Sequence, residues 1–130
     1  MLGVRIGFDR DYFLSDSTNP DLPEDIWPAL VDTGAAESCI DSALADILNL
    51  PVVDRRNVSG VHRSAEVNIH LAQIYAPSLQ FTTYGRFAGV HLTSGGQLHR
   101  ALIGRSFLRS FTMIYNGITG SVELELRTMG

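Results

Sequence analysis

The stretch Ala29-Leu30-Val31-Asp32-Thr33-Gly34-Ala35 decides the reading of this chain. Three apolar residues run straight into an acid, a small hydroxyl residue and a glycine. An acid leaving an apolar strand sits at the edge of a core, where desolvation acts on its proton affinity. The Thr33 hydroxyl can hydrogen-bond locally and hold the loop in shape. Gly34 permits a bend and a close backbone approach that a Cβ would obstruct. Asp-Thr-Gly is also an ordinary turn after a strand, so the triplet alone leaves a plain turn and a chemical site both open.

Outward from this stretch the chain reads as strands. Residues 3–8 and 27–31 form two early strands around a polar, Pro-containing loop at 15–25. One segment carries a helical stripe: Ile40, Leu44, Ile47 and Leu48 recur at the helix period, Ser38 with Asp41 makes a capping box, and Pro51 closes the segment. Val67, Ile69 and Leu71 alternate with Glu66, Asn68 and His70, the pattern of a strand with one buried face. Shorter strands are expected at 79–84 and 87–93. Gly95-Gly96 is a turn before an apolar run at 98–103. A short helical turn is expected at 106–109, and strands at 111–115 and 122–126 flank the hairpin signal Asn116-Gly117. The sum is a mainly β domain, a barrel or sandwich with one or two short helices.

Composition bounds the function. The chain has 130 residues, the size of one domain, and 45% of them are hydrophobic, enough for a real core. The formal charge of -4 gives no electrostatic case for nucleic acid or an anionic membrane. No apolar run approaches the ~20 residues that span a bilayer. Residues 1–10 lack a basic segment followed by an apolar block, so no signal peptide is read and a cytoplasmic location is favoured. The single cysteine, Cys39, excludes an internal disulfide and a cysteine-built zinc site, and reads as a small buried or half-buried thiol. His62, His70, His91 and His99 show no close metal-binding spacing, so neither a metal nor a cofactor is expected. Phe8-Asp9-Arg10-Asp11 is similar to the opening of the haloacid-dehalogenase phosphatases, but the alternating strand–helix pattern of that family is missing, and the acids read as an exposed turn.

A second segment joins the first. Ala101-Leu102-Ile103-Gly104-Arg105 is an apolar run ending in Gly-Arg ahead of the short helical turn. Together the two segments resemble the hallmarks of the retropepsin-like, retroviral-type aspartic proteases, in order and spacing from about Gly3 onward. The resemblance is specific at the two motifs and loose elsewhere, and falls nearer a cellular or bacterial branch than a viral one.

The resemblance implies one retropepsin-like domain over residues 1–130, a closed barrel that works as a homodimer on a peptide or protein substrate. A single Asp-Thr-Gly implies that each subunit supplies one Asp32 to a shared dyad. Thr33 would stiffen the dyad and Gly34 would offer its carbonyl to the peptide. Ala35 and Ala36 would line the cleft. A flap hairpin would lie between the hallmarks, with its tip near Ser59, Gly60, Val61 and His62. Ile103, Gly104 and Arg105 would support the dyad from behind. The strands at 3–8 and 122–126 would interleave between subunits. Two departures stand out: Ala36 replaces an acid that commonly pairs with the arginine, leaving Glu37 to reach it, and Ser106 replaces an Asp or Asn. They also admit a catalytically weak or inactive dimerisation or peptide-binding domain.

Overall fold

The computed structural model describes residues 1–12, 19–59 and 64–127. Its strands and helices follow in the order β1 Leu2–Gly7, β2 Trp27–Val31, β3 Cys39–Asp41, α1 Ser42–Ile47, β4 Val52–Ser59, β5 Ser64–Ala76, β6 Phe81–Val90, β7 Ala101–Ile103, α2 Arg105–Leu108, β8 Phe111–Tyr115 and β9 Val122–Leu126. One sheet has the strand order β1-β2-β7-β3-β6-β5-β4, and the pairing of β1 with β5 closes six of these strands into a barrel. β4 stands outside the ring as the outer partner of β5, and β8 with β9 makes a separate two-stranded sheet. Among the described residues, no helix is long and apolar enough to cross a membrane.

The barrel closes because short apolar strands turn small and branched side chains inward. Val4, Ile6, Ala29, Ile40, Ala72, Ile74, Ala101 and Ile103 fill the interior together with Phe107 of α2. Each large aliphatic or aromatic side chain so buried contributes roughly 1.5–3 kcal/mol. Phe107 stacks on Phe111 at 5.3 Å between ring centroids, and Phe81 meets both edge-on at 5.1 and 4.9 Å. This aromatic group fastens α2 and the root of the β8–β9 hairpin to the barrel.

The structure departs from the sequence reading at several elements. The helical stripe begins too early: Cys39–Asp41 is a strand, held between β6 and β7, and the helix covers only Ser42–Ile47. Asp41, not Ser38, caps it, accepting the Leu44 N–H at 3.3 Å. Ile47 is 75% exposed, so the stripe combined a barrel strand and a helix into one apparent period. The two strands expected at 79–84 and 87–93 are the single strand β6, entered through a 3-10 turn at Pro77–Leu79. Of the run at 98–103 only Ala101–Ile103 is strand.

β5 reverses its expected faces along its length. Ile69 is buried as expected, but His70 is 2% exposed, and Ala72, Ile74 and Ala76 continue its face into the core. β6 pairs along this whole stretch and β1 joins it at Gln73–Tyr75, which encloses Ile74 in the barrel. His70 is tolerated there because its Nδ1 pairs with the Leu50 carbonyl at 3.1 Å. The β8–β9 hairpin is present, yet Asn116-Gly117 is not a two-residue turn. The loop runs to Ser121, Asn116 Oδ1 accepts from Ile118 and Thr119, and the positive φ of 75° falls at Gly120. Asp9 folds the turn around it, accepting the N–H groups of Asp11 and Asp21, while buried Gln73 bonds its backbone N–H and carbonyl.

Candidate active site

β2 and β7 run parallel as neighbours in the barrel, with Ala29 beside Ala101, Leu30 beside Leu102 and Val31 beside Ile103. This register brings the two quoted motifs, distant in sequence, to the same end of the barrel. The ladder continues one step beyond the strands, where the Asp32 N–H donates to the Ile103 carbonyl at 2.9 Å. The Asp32 side chain then leaves the sheet half-buried, and its Oδ1 accepts the Gly34 N–H at 2.9 Å. The Ala35 N–H returns to the Asp32 carbonyl at 3.2 Å, which closes the loop as a tight turn.

A second layer of bonds holds this turn from behind. The first N–H groups of α2, at Arg105 and Ser106, donate to the carbonyls of Ala35 and Ala36 at 2.8 and 3.0 Å. A helix start has unpaired N–H donors, and the loop supplies their acceptors. The Arg105 guanidinium reaches across to the Thr33 carbonyl at 2.8 Å through Nη1. Gly104 sits so close that a Cβ there would lie 2.5 Å from the Glu37 carbonyl oxygen and 2.8 Å from that of Ala35. Only glycine fits this approach. The Gly104 N–H donates to Ser38 Oγ at 3.0 Å, and the Ser38 N–H to Ser106 Oγ at 3.3 Å.

The turn is therefore fixed on its inner side and open on its outer side. Thr33, Gly34 and Ala36 are exposed, whereas Ile103 and Gly104 are buried. The structure thus brings together Asp32, Thr33, Gly34, Ala35, Ala36, Ile103, Gly104 and Arg105. The flap expectation falls differently. β4 and β5 pair antiparallel from Val52 beside His70 to Ser59 beside Ser64, which makes the arm of a hairpin. Gly60, Val61 and His62, the expected tip, lie outside the described residues.

Sequence reasoning missed two supports of the site. Ser38, read as a helix cap, instead bonds Gly104, a residue of the other motif. No local pattern announces a hydroxyl whose partner is 66 positions away. Cys39, placed on the helix by its period, lies on β3 beside Leu102. Burial pushes its thiol up to about 11, a backbone hydrogen bond at Leu102 offsets part of this, and the nearby Asp32 charge adds to it. The thiol is half-buried, as the small-thiol reading expected.

Arg105 makes no ion pair among the described residues, and Glu37 is exposed. Among the described residues no three His, Cys, Asp or Glu side chains gather as a metal-binding group would require. An apolar groove of about 810 Å³ opens beside Thr33, with Leu30, Val31 and Leu79 on the barrel side and Met113, Tyr115 and Val122 on the hairpin side. No protein-family model, no curated protein and no solved structure matches the chain.

Proposed function

We propose that the chain is one subunit of a retropepsin-like aspartic endopeptidase, in which Asp32 of two copies meets across a twofold axis. The observation that carries the reading is the parallel β2–β7 crossing. It ends in an acid on one strand and Gly-Arg on the other, tied by the Asp32 N–H to the Ile103 carbonyl and by Arg105 to the Thr33 carbonyl. An acid on a rigid, outward-facing turn is preorganised for chemistry on a bound chain, since little motion remains to be frozen on binding.

The chemistry follows from two carboxyl groups in contact. Like charges at that distance oppose double ionisation, so the pair holds one proton. The ionised carboxylate takes a proton from a water as the water oxygen attacks the carbonyl carbon of the peptide. The protonated carboxyl gives its proton to the carbonyl oxygen, and a gem-diol forms. A proton then passes to the amide nitrogen, the C–N bond breaks, and an acid and an amine leave. In this reading an extended peptide runs past Gly34 and Ala35 and gains backbone hydrogen bonds as an added strand.

A second reading is a dimerisation or peptide-binding domain without useful catalysis. It is favoured by Arg105, whose partner is a carbonyl rather than a carboxylate. Digestion of a broad peptide pool by wild type and by Asp32→Asn, from acid to neutral pH at high protein concentration, separates the two. The dyad predicts cleavage by wild type alone with a bell-shaped pH profile. Equal cleavage by both proteins removes the dyad, and cleavage by neither favours the binding domain.

A further inference from the structure

The segment that carries Asp32 begins and ends on one peptide group. The Ile103 carbonyl accepts the Asp32 N–H at 2.9 Å. The N–H of the same peptide group, that of Gly104, donates to Ser38 Oγ at 3.0 Å. One peptide plane is thus gripped at both ends by residues of the segment 32–38. A peptide group that accepts at one end and donates at the other is polarised by both bonds, and each strengthens the other.

This unit lies inside the protein. Ile103 is fully buried, Gly104 is buried and Ser38 is 3% exposed, so the Gly104 N–H depends on the protein for its acceptor. Ser38 is itself fixed: its N–H donates to Ser106 Oγ at 3.3 Å, and the Ser106 N–H donates to the Ala36 carbonyl at 3.0 Å. A Cβ on Gly104 would lie 2.5 Å from the Glu37 carbonyl oxygen, and this close packing lets a side chain as short as serine reach the N–H. Arg105 grips the turn further along, at the Thr33 and Ala35 carbonyls. Ser38 acts on the peptide group that receives Asp32 itself.

We propose that Ser38 is a positioning residue for Asp32. Its hydroxyl sets the plane of the Ile103–Gly104 peptide, and through it the direction in which the Asp32 carboxyl leaves the sheet. Without Ser38 Oγ the buried Gly104 N–H is left unpaired, and the peptide is free to turn toward another acceptor. The Asp32 backbone, anchored on the other end of that peptide, tilts with it. The consequence for catalysis rests on the dyad reading, whereas the consequence for the Asp32 backbone does not. Two carboxyl groups that share a proton must stay at hydrogen-bond distance, so a small tilt at each is felt in the rate.

Amide exchange and peptide kinetics on Ser38→Ala, Ser38→Thr and Ile74→Val test this. Ile74→Val loosens the core elsewhere in the barrel and serves as the control for lost stability. In Ser38→Ala the Asp32 and Gly34 N–H groups should exchange more than about tenfold faster than in wild type, beyond any change along β5 and β6. In Ile74→Val all of these should shift together. On a peptide that wild type cleaves, at the high protein concentration that favours a dimer, Ser38→Ala should lower kcat about tenfold or more and leave KM within about twofold. Ser38→Thr keeps the hydroxyl and should recover most of both effects, and Ile74→Val should keep kcat. If Ser38→Ala does not fold, Ser38→Cys takes its place, being close in size but a weak acceptor. Exchange at Asp32 that rises no more than along β5, an unchanged kcat in Ser38→Ala, or a Ser38→Thr protein as impaired as Ser38→Ala overturns the proposal. Faster exchange at Asp32 in a protein whose wild type cleaves no peptide keeps the positioning role and discards the dyad.

Discussion

Asp32 leaves the end of β2, and Asp41 closes β3 in the same barrel. Asp41 is buried, and its two oxygens accept the N–H groups of Leu44, Leu92 and Thr93 and the Thr93 hydroxyl, at 3.0 to 3.3 Å. Burial alone would raise its pKa, but the Thr93, Leu44 and Leu92 bonds outweigh it and hold the carboxyl below its ordinary value. Asp32 is half-buried, and among the described residues its carboxylate accepts one bond, from Gly34. One acid is consumed by the fold, joining the start of α1 to the segment that follows β6. The other is carried by the fold and left available. The difference teaches where to seek chemistry in a small barrel: at the acid whose backbone is over-restrained and whose side chain is not.

The largest effect should come from breaking the restraint itself. Gly104→Ala drives a Cβ into two backbone carbonyls that have no room to yield, and should cost about 3 kcal/mol in chemical denaturation. An unchanged midpoint would mean that the turn is softer than its geometry indicates.

Asp41→Asn comes next. It faces donors with an amide that can accept from only one atom, and should cost about 2 kcal/mol at neutral pH. Because the folded-state pKa is lowered, the stabilisation is fully present above the ordinary value of 3.8 and fades as pH falls below it. The gap between wild type and variant should therefore close in acid. A gap that stays constant with pH would remove the charge from the account and leave only shape.

Asp32→Asn should have the smallest effect on folding, within about 0.5 kcal/mol, since the amide oxygen can still accept the Gly34 N–H. A loss of stability as large as that of Asp41→Asn would erase the distinction between the two acids.

Both motifs were legible in the sequence because they are local: an apolar strand announces itself by its residues, and Asp-Thr-Gly and Gly-Arg follow directly. The hairpin strands 111–115 and 122–126 and the strand 27–31 were legible for the same reason. The errors lie where two elements share one apolar stripe. Ile40 and Leu44 are spaced as on a helix, yet Ile40 is a barrel strand residue, because β6 and β7 offer it ladder partners that periodicity does not see. His70 is polar by its pattern but is buried between β4 and β6, where the Leu50 carbonyl, twenty positions earlier, gives it a partner.

The sequence by itself determined which residues can do chemistry and that short strands would dominate, since side-chain type and period two are properties of neighbours along the chain. Tertiary structure alone decided that Asp32 bonds Ile103, that Ser38 bonds Gly104, that Asp41 is sealed and Asp32 is not, and that β1 closes the barrel while β8 and β9, among the described residues, pair only with each other. Each of these depends on a hydrogen bond or a packing contact between residues far apart in sequence. Such contacts form only when the whole sheet has chosen its order and register.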